Sequence, residues 1–357
     1  MDVATTSYLK NLLVDAVKQQ AADIHLSVGN APIVRVFGQL KVLDTEPVVT
    51  VEFLQSVLET ILSADQRAQL DTKRELVTTH DFDKQLRFKL NVFYQRDLPS
   101  MTLRYIPSVV PAISELSLSP TIAELSQLNK GLVIISGPFG SGRSTTAAAL
   151  IEEINRTRKS YIITIEDPIE YQFSNRESII EQRQVGRDTN SVIDARTYFQ
   201  AEDGDVLFLD ELQDPATIPM VLEIARGGSL VVTTMSADSA TKTIARILDS
   251  FTSLDEKRVR DLLASSLQAV VCQKLLPRIG GDMIVVQEVL RKNDAVRSAI
   301  SNGNIAQLEN SLQTSRQEGM ISFEQSLAEL VKRHAVTLEA ATDAANDPRQ
   351  LENLLHS

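Results

Sequence analysis

A glycine-rich segment carries the residue types and spacing that bind phosphate groups. It reads Gly137, Pro138, Phe139, Gly140, Ser141, Gly142, Arg143, Ser144 and Thr145. Glycines let successive backbone N–H groups turn toward an anion, and a helix that starts at the end of such a loop adds a favourable dipole. The hydroxyl of Ser144 stands where phosphate loops hold Mg²⁺. The segment predicts an ATP or ADP site with Mg²⁺ as cofactor; an ordinary tight turn is the alternative.

Arg143 is the departure from the phosphate-loop pattern, which has lysine at this position. Lysine presents a compact charge to the β- and γ-phosphates, whereas a guanidinium is longer, planar and forked. Loss of one well-placed donor to the transition state typically costs about 10²–10³ in rate. Two outcomes stay open: hydrolysis is weakened, or the loop shifts slightly and Arg143 serves in place of lysine.

The elements around this segment follow the order strand, phosphate loop, helix. Residues 132–136 form a short apolar strand, and residues 143–155 carry a helical pattern. Further apolar strands at 161–165, 206–209 and 230–234 alternate with helical segments. This order predicts an α/β domain with a mostly parallel sheet over residues 121–291. Residues 292–357 read as helices only, which predicts a C-terminal helical region.

The residues before the phosphate loop predict a smaller α+β domain over residues 1–106. A helix over 8–20 precedes alternating strand patterns, a second helix fits 51–70, and two more strands follow. Prolines and serines interrupt the periodicity over 107–120, which predicts a linker between the two domains.

The composition is that of a folded globular protein and narrows the possible partners. The chain has 47 acidic and 36 basic residues, and its formal net charge of −11 disfavours nucleic acid as a partner. The sequence lacks a run of about 18 apolar residues and the residue order of a secretory signal, so it predicts a cytoplasmic protein. The single cysteine, Cys272, lies in an apolar stretch and is predicted to be a buried thiol.

Several other segments together resemble the secretion and pilus ATPase superfamily. TIEDPIEY at 164–171 is similar to its Asp box, and VLFLDELQD at 206–214 stands where that superfamily has its Walker B motif. Residues 22–40 resemble its first domain, which has a PAS-like fold. One cysteine is too few for the four-cysteine zinc module usual in the extension branch. The resemblance is therefore to the type IV pilus retraction and twitching-motility branch, and it implies a RecA-like motor domain.

The resemblance also implies roles for individual acidic and basic residues. Glu211 matches the catalytic glutamate that orients the attacking water, and Glu166 matches a catalytic acid of the Asp box. The implied metal ligands are Ser144, Asp210 and Asp167, and the implied nucleotide-contacting arginines of the first domain are Arg96 and Arg104. Such arginines would stabilise the transferring phosphoryl group across a domain or subunit boundary. Structural alternatives are a turn at Asp167-Pro168, a solvated helix start at Glu211 and ordinary surface arginines.

The chain departs from that family at two histidines. It has TMSA at 234–237 where the family has Thr-Leu-His-Thr, and ARGGS at 225–229 where the family has Ala-Glu-Thr-Gly-His. A serine cannot become a cation, so the site is electrostatically weaker than one with histidine. These departures predict an ATP-binding subunit with weakened or lost hydrolysis and an accessory or regulatory role in pilus retraction.

The implied partners are other subunits and the pilus machinery. The subunits would form a homo-hexamer, or a mixed hexamer with an active retraction ATPase, and would act at the pilus platform protein of the inner membrane. The protein would then be cytoplasmic and peripheral to that membrane. Two alternatives stay open: a fully active hexameric ATPase motor, and a docking scaffold that no longer binds nucleotide.

Overall fold

Two compact units make up the chain. The computed structural model describes residues 3–356. The first unit extends to Val109 and includes the segment Pro168–Gln172, whereas the second contains Val110–Asp167 and the residues from Phe173 onward. The domain boundaries predicted at 106, 120 and 291 stay predictions. No sequence pattern indicated that residues 168–172 would group with the first unit.

The first unit consists of a six-stranded antiparallel sheet and three helices. In chain order its elements are α1 (Val3–Lys18), β1 (Ala21–Ser27), β2 (Ile33–Val36), β3 (Gln39–Val42), α2 (Val51–Ile61), α3 (Ala64–Lys73), β4 (Glu75–Asp83), β5 (Leu86–Gln95) and β6 (Leu98–Ile106). The strand order is β3-β2-β1-β6-β5-β4. Phe88, Leu90 and Val92 alternate along β5 and are fully buried, because one face of the sheet carries the apolar core.

The single helix predicted over residues 51–70 is wrong, because a helix cap divides that segment into α2 and α3. Ser63 lies between them, and its Oγ accepts a hydrogen bond from the Gln66 N–H at 3.2 Å. The Gln66 side chain accepts in return from the Ser63 N–H at 3.0 Å. This reciprocal capping box satisfies two amides at the start of a helix, so a new helix begins here.

The second unit consists of a seven-stranded sheet with helices on both faces and a helical C-terminal part. Its elements up to the last strand are α4 (Pro120–Leu125), β7 (Gly131–Ser136), α5 (Arg143–Thr157), β8 (Tyr161–Glu166), β9 (Ile179–Gln184), α6 (Val192–Ala201), β10 (Val206–Glu211), α7 (Ile218–Gly227), β11 (Leu230–Met235), α8 (Ala240–Asp249), α9 (Ser253–Ser266), β12 (Leu267–Pro277) and β13 (Met283–Arg291). The C-terminal helices are α10 (Asp294–Ser301), α11 (Gln307–Thr314), α12 (Phe323–Lys332), α13 (Leu338–Ala344) and α14 (Pro348–His356). Two short 3₁₀ turns complete the unit, at Ile113–Leu116 and Arg316–Glu318.

The sheet of the second unit is parallel except at one edge. Its strand order is β13-β12-β7-β11-β10-β8-β9, and β13 alone pairs antiparallel with its neighbour. Along β7, Leu132 and Ile134 join one apolar cluster, while Val133 and Ile135 join the cluster on the opposite face. Burial on both faces explains why this strand is a continuous apolar run. The predicted fold class, with a parallel α/β sheet, a smaller α+β domain and C-terminal helices, is confirmed.

A buried carboxylate lies where the last strand meets the start of α8. Glu288 of β13 is 4% exposed, and its Oε1 accepts a hydrogen bond from the Ala240 N–H at the first residue of α8 at 2.7 Å. Burial, helped by the nearby buried carboxylate of Glu324, raises the pKa of Glu288 to about 7. The predicted burial of Cys272 on neighbouring β12 is also confirmed, and burial raises the pKa of its thiol to about 12.

Glu288 should make the folded protein less stable as pH rises. Its pKa is about 7 in the folded state against an ordinary 4.5, so the folded state binds this proton more tightly than the unfolded state. The associated stability is fully present below pH 4.5 and is lost as pH rises through about 7, to an extent on the order of 3 kcal/mol. We expect Glu288→Gln to remove this loss of stability at high pH, because glutamine does not titrate. Its oxygen can still accept the hydrogen bond from the Ala240 N–H.

The measurement is denaturant unfolding of both proteins at several pH values between 5.5 and 8.5. The free energy of unfolding of Glu288→Gln, relative to wild type, should increase across this range. Glu339→Gln, at an exposed position of α13, is the matched control and should leave the pH profile unchanged. Parallel profiles for wild type and Glu288→Gln would contradict the assignment.

Candidate nucleotide-binding site

The predicted site residues of the second unit lie at one edge of its sheet. Strands β7, β11, β10 and β8 are parallel neighbours, so their carboxyl ends lie at the same edge. The glycine loop follows β7, β10 ends at Glu211, and β8 ends at Glu166. Ligands of open α/β sheets bind at this edge. The structure therefore places the loop 137–145, Asp210, Glu211 and Glu166 in one region, whereas their roles stay predictions.

The glycine loop turns sharply because its backbone adopts conformations that favour glycine. Gly137 has a φ of 154°, and Gly142, the N-cap of α5, has a φ of 87°. A Cβ on Gly137 would lie 2.3 Å from the carbonyl oxygen of Gln273 and 2.4 Å from Ser141 Oγ. The loop thus passes so close to β12 that only glycine fits at its first position.

Gln273 holds the glycine loop in place, and the sequence did not predict this contact. This fully buried residue of β12 donates from Nε2 to the carbonyl oxygen of Ser141 at 2.8 Å. Gln273 is 132 residues away from Ser141, and no local pattern marks it. Ser141 Oγ and Gln273 Oε1 are buried and have no hydrogen-bond partner among the described residues. Buried polar atoms of this kind beside a glycine turn fit a loop that receives a polar ligand.

The side chains of the loop divide between solvent and the start of α5. Phe139 lies at the tip of the loop and is 82% exposed. Ser144 and Thr145 belong to the first turn of α5 and are partly buried. Their position at a helix N-terminus suits contact with the oxygens of a phosphate.

Arg143 forms an ion pair with the predicted catalytic glutamate. Its Nη1 lies 3.3 Å from Oε1 of Glu211, and the two side chains are 15% and 32% exposed. The guanidinium can reach this carboxylate because the loop after β7 and the end of β10 are separated by one strand, β11. A carboxylate held by a cation is less free to orient water. In this arrangement the charges of Arg143 and Glu211 are paired with each other.

Glu166 is held in place by two neighbours on the sheet. It is 4% exposed, and its Oε1 accepts from Thr164 Oγ1 at 2.6 Å and from Gln182 Nε2 at 3.0 Å. Thr164 could have been found from the sequence, since residues two apart on a strand share a face. Gln182 could not, because it comes from β9. Asp167 follows Glu166 and is exposed.

The residues present fit a Mg²⁺ ion that is held jointly with a nucleotide. Within residues 3–356, no group of three or more histidine, cysteine, aspartate or glutamate side chains could hold a metal alone. Mg²⁺ usually takes one or two protein oxygens and completes its shell with phosphates and water. Ser144, at the helix start, and Asp210, partly buried on β10, offer such oxygens at the same sheet edge.

The loop after β11 contains Ser236, which stands where the resembled family has a histidine. Ser236 follows this strand, and its carbonyl oxygen accepts from Arg246 Nη1 of α8 at 2.7 Å. Thr234 Oγ1 donates to the carbonyl oxygen of Asp210, which ties the ends of β11 and β10 together. The backbone of this loop is therefore anchored although no imidazole is present in it.

The two predicted arginines of the first unit have different surroundings. Arg104 of β6 binds Asp23 through two contacts, Nε to Oδ1 at 2.7 Å and Nη2 to Oδ2 at 3.2 Å. Arg96 lies in the turn between β5 and β6, is exposed, and has a φ of 49°. The charge of Arg104 is therefore partly balanced within its own unit. That either residue contacts nucleotide stays a prediction.

Comparison with known proteins identifies relatives over nearly the whole chain. A family model described as "Type II/IV secretion system protein" matches residues 2–343. A Pseudomonas aeruginosa protein named "Type IV pilus retractation ATPase PilT" is 33% identical, covering 95% of this chain and 98% of the relative. A Neisseria gonorrhoeae "Twitching motility protein" is 34% identical, covering 90% of this chain and 86% of the relative.

A solved structure agrees with these matches. The crystal structure of the pilus retraction motor PilT with bound ADP superposes with a TM-score of 0.83 at 36% sequence identity. The alignment covers 96% of this chain and 98% of that one. None of the helices in the described part of the chain is long and apolar enough to span a membrane.

Gly137→Ala should abolish nucleotide binding. The added Cβ would meet the Gln273 carbonyl oxygen at 2.3 Å, so the loop would have to leave its position. Thermal unfolding with and without millimolar ATP measures this: an ATP concentration of 100 Kd stabilises a binding protein by about 2.7 kcal/mol. Gly227→Ala, at the end of α7 and outside the loop, is the matched control, because a Cβ there meets nothing within 4 Å and its backbone has no positive φ. Equal ATP stabilisation of both variants would contradict the role of the loop.

Glu211→Gln should strengthen ATP binding. Arg143 must leave Glu211 to contact a γ-phosphate, and a neutral glutamine holds the guanidinium less firmly. We expect the Kd for ATP to fall about threefold to tenfold, a change typical of a partly buried ion pair. The Kd for ADP should change less. Isothermal titration calorimetry gives both values, and Glu181→Gln, an exposed carboxylate of β9, controls for the change in net charge.

Proposed function

Because the chain belongs to the type II/IV secretion system protein family, we propose that it is an ATP-binding subunit of a type IV pilus retraction machinery that acts in twitching motility. Its hydrolysis is weakened or lost, and its role is accessory or regulatory. The names of the two relatives and the ADP-bound structure support the nucleotide and the pilus. The altered residues of this chain support the loss of hydrolysis.

The ion pair between Arg143 and Glu211 is the observation that carries this proposal. Hydrolysis needs a carboxylate to orient water and a cation to stabilise the charge that develops on the γ-phosphate. Here the two groups neutralise each other at 3.3 Å. ATP competes with Glu211 for the guanidinium, so part of the binding free energy is used to break the pair. Binding persists, because the backbone of the glycine loop supplies most of the phosphate contacts.

The other residues of the site have supporting roles. Ser144, Asp210 and Asp167 would hold Mg²⁺ together with the nucleotide phosphates, and the bound ion would supply positive charge beside the β- and γ-phosphates. Glu166 stays buried and hydrogen-bonded, so it orders the carboxyl end of β8. Ser236, at the position of the family's histidine, can offer one neutral hydrogen bond but no positive charge.

Assembly is part of the proposal. The subunit associates with copies of itself, or with an active retraction ATPase, in a homo-hexamer or a mixed hexamer. It acts at the cytoplasmic side of the inner membrane, next to the platform protein of the pilus. Arg96 and Arg104 contribute charge to nucleotide across a subunit or domain boundary in such a ring. A subunit that binds ATP and hydrolyses it slowly would regulate the turnover of its neighbours.

A fully active motor is the second candidate function. The relatives that cover almost the whole chain carry the names of a retraction ATPase and a twitching motility protein, and this favours it. In that case Arg143 would release Glu211 completely on ATP binding and would replace lysine. Asp210 would supply the carboxylate on the magnesium side.

Turnover separates the two functions. We expect wild-type MgATP hydrolysis to lie within about tenfold of that of Glu211→Gln, because the glutamate is already compromised. Arg143→Lys should raise kcat by about 10-fold to 100-fold, since one correctly placed donor is worth about 10²–10³ in rate. Phosphate release by purified protein measures kcat, and calorimetry with ATP confirms that each variant binds.

The outcomes lead to different conclusions. Wild-type turnover far above that of Glu211→Gln, and unchanged in Arg143→Lys, would establish the active motor instead. Absence of binding to ATP and ADP in the wild type would reject both functions and leave a docking scaffold. Arg349→Lys, at an exposed position of α14, is the matched control substitution.

A further inference from the structure

A buried arginine of the first unit holds the chain segment that follows the Asp box. Arg87 of β5 donates from Nε to the carbonyl oxygen of Glu170 at 2.7 Å and from Nη2 to that of Ile169 at 2.8 Å. Its Nη1 contacts both carboxylate oxygens of Asp81, at 2.8 and 2.7 Å. Nη2 also donates to Thr79 Oγ1 at 2.9 Å. Every nitrogen of the guanidinium therefore has a partner.

The location of Arg87 shows that this arrangement is specific. Phe88 and Leu90 point into the core, so Arg87 lies on the opposite face of β5. An arginine on an outward face is normally exposed, yet Arg87 is 8% exposed. The segment Pro168–Gln172 groups with this unit and covers the face. Asp81, directly opposite Arg87 on β4, balances the charge that this covering buries.

Lys89 gives the same segment a second anchor. It lies two residues along β5, on the face of Arg87, and its Nζ is 2.7 Å from Oε1 of Glu170. Tyr171 of the segment is also buried, at 6% exposure. The segment is thus fixed through two backbone carbonyls, one carboxylate and one buried ring. A surface segment that needs no defined position would not require these contacts.

A stiff connection joins the segment to the Asp box. Asp167 directly precedes Pro168, whose ring fixes its own φ and restricts the residue before it to extended conformations. Only Pro168 separates Asp167 from Ile169, so the Cα atoms of these two residues can be at most about 7 Å apart. Wherever Arg87 holds the carbonyl of Ile169, the backbone of Asp167 has little freedom to move.

We propose that Arg87 is a positioning residue for Asp167, because it fixes the backbone that directly follows this proposed Mg²⁺ ligand. The inference deepens the proposed function and rests on it, since Asp167 matters for Mg²⁺ only if the chain binds MgATP. Arg87 itself touches neither the nucleotide nor the metal. Its effect is transmitted through Ile169 and Pro168 as a constraint on the backbone.

The first test separates nucleotide binding with Mg²⁺ from binding without it. Calorimetry on the full chain gives the Kd for ATP in MgCl₂ and in EDTA. Arg87→Ala should weaken MgATP binding by at least about fivefold, the lower end of a typical coupling between sites, and should leave binding in EDTA within about twofold. Asp167→Asn should do the same. Because both act through one carboxylate, the double variant should be no worse than the worse single variant.

Two further variants test the transmission itself. Arg87→Lys keeps the charge beside Asp81 but cannot fork to two carbonyls, so it should show an intermediate loss even if Arg87→Ala fails to fold. Pro168→Gly keeps the clamp but loosens the link, and it too should lower only the Mg²⁺-dependent affinity. Arg67→Ala, which removes an exposed arginine of α3 that donates to Glu59 O, is the matched control and should change neither Kd.

Amide exchange in the protein without nucleotide provides an independent measurement. Peptides that span residues 161–172 should exchange faster in Arg87→Ala and Arg87→Lys than in wild type, while peptides of the glycine loop stay unchanged. An unchanged exchange rate, or multiplying effects of Arg87→Ala and Asp167→Asn, would overturn the inference. A wild type that binds no nucleotide would instead reject the proposed function, and the exchange result would still decide whether Arg87 fixes Asp167.

Discussion

Arg143 at the start of α5 and Glu211 at the end of β10 lie at one sheet edge, and their ion pair sets the electrostatics of the candidate site. A lysine at position 143 would present its charge at the end of a flexible chain, whereas the planar guanidinium presents several donors at fixed angles. In the proposed function, this contact opposes the use of Arg143 and Glu211 in hydrolysis.

Binding and hydrolysis depend on different parts of this site. The curvature of the glycine loop depends on Gly137, where an added Cβ would lie 2.3 Å from the carbonyl oxygen of Gln273. It also depends on the hydrogen bond from Gln273 to Ser141. Neither involves a charged side chain. In the proposed function, catalysis depends on charges at Arg143, Glu211 and the loop after β11, and Arg143 and that loop are the positions where the sequence departs from the family pattern. A subunit can therefore lose turnover and keep nucleotide affinity.

The first unit shows a second use of buried charge. Arg87 lies on the outward face of β5, and residues that follow the Asp box cover it. Burial of a guanidinium is costly unless its donors are satisfied, so the five contacts of Arg87 define one position for the covering segment. Glu288 is the opposite case, since its carboxylate is buried with few donors and its pKa rises to about 7.

The sequence by itself determined the fold class and the strand-loop-helix order over residues 132–155. These follow from local rules: apolar runs form buried strands, glycines permit the turn, and parallel strands end at one edge. It missed the break between α2 and α3, although the capping pair of Ser63 and Gln66 was visible in it.

Only the tertiary structure decided which side chains meet. Gln273 reaches the glycine loop, Arg143 reaches Glu211, and Arg87 reaches the carbonyls of Ile169 and Glu170. Each pair is 68 to 132 residues apart in the chain, where no periodicity relates the partners. Such contacts depend on strand order, register and burial, which arise from the packing of the whole sheet. A glutamine or an arginine in a strand has the same local pattern whether it faces solvent or fastens a distant loop.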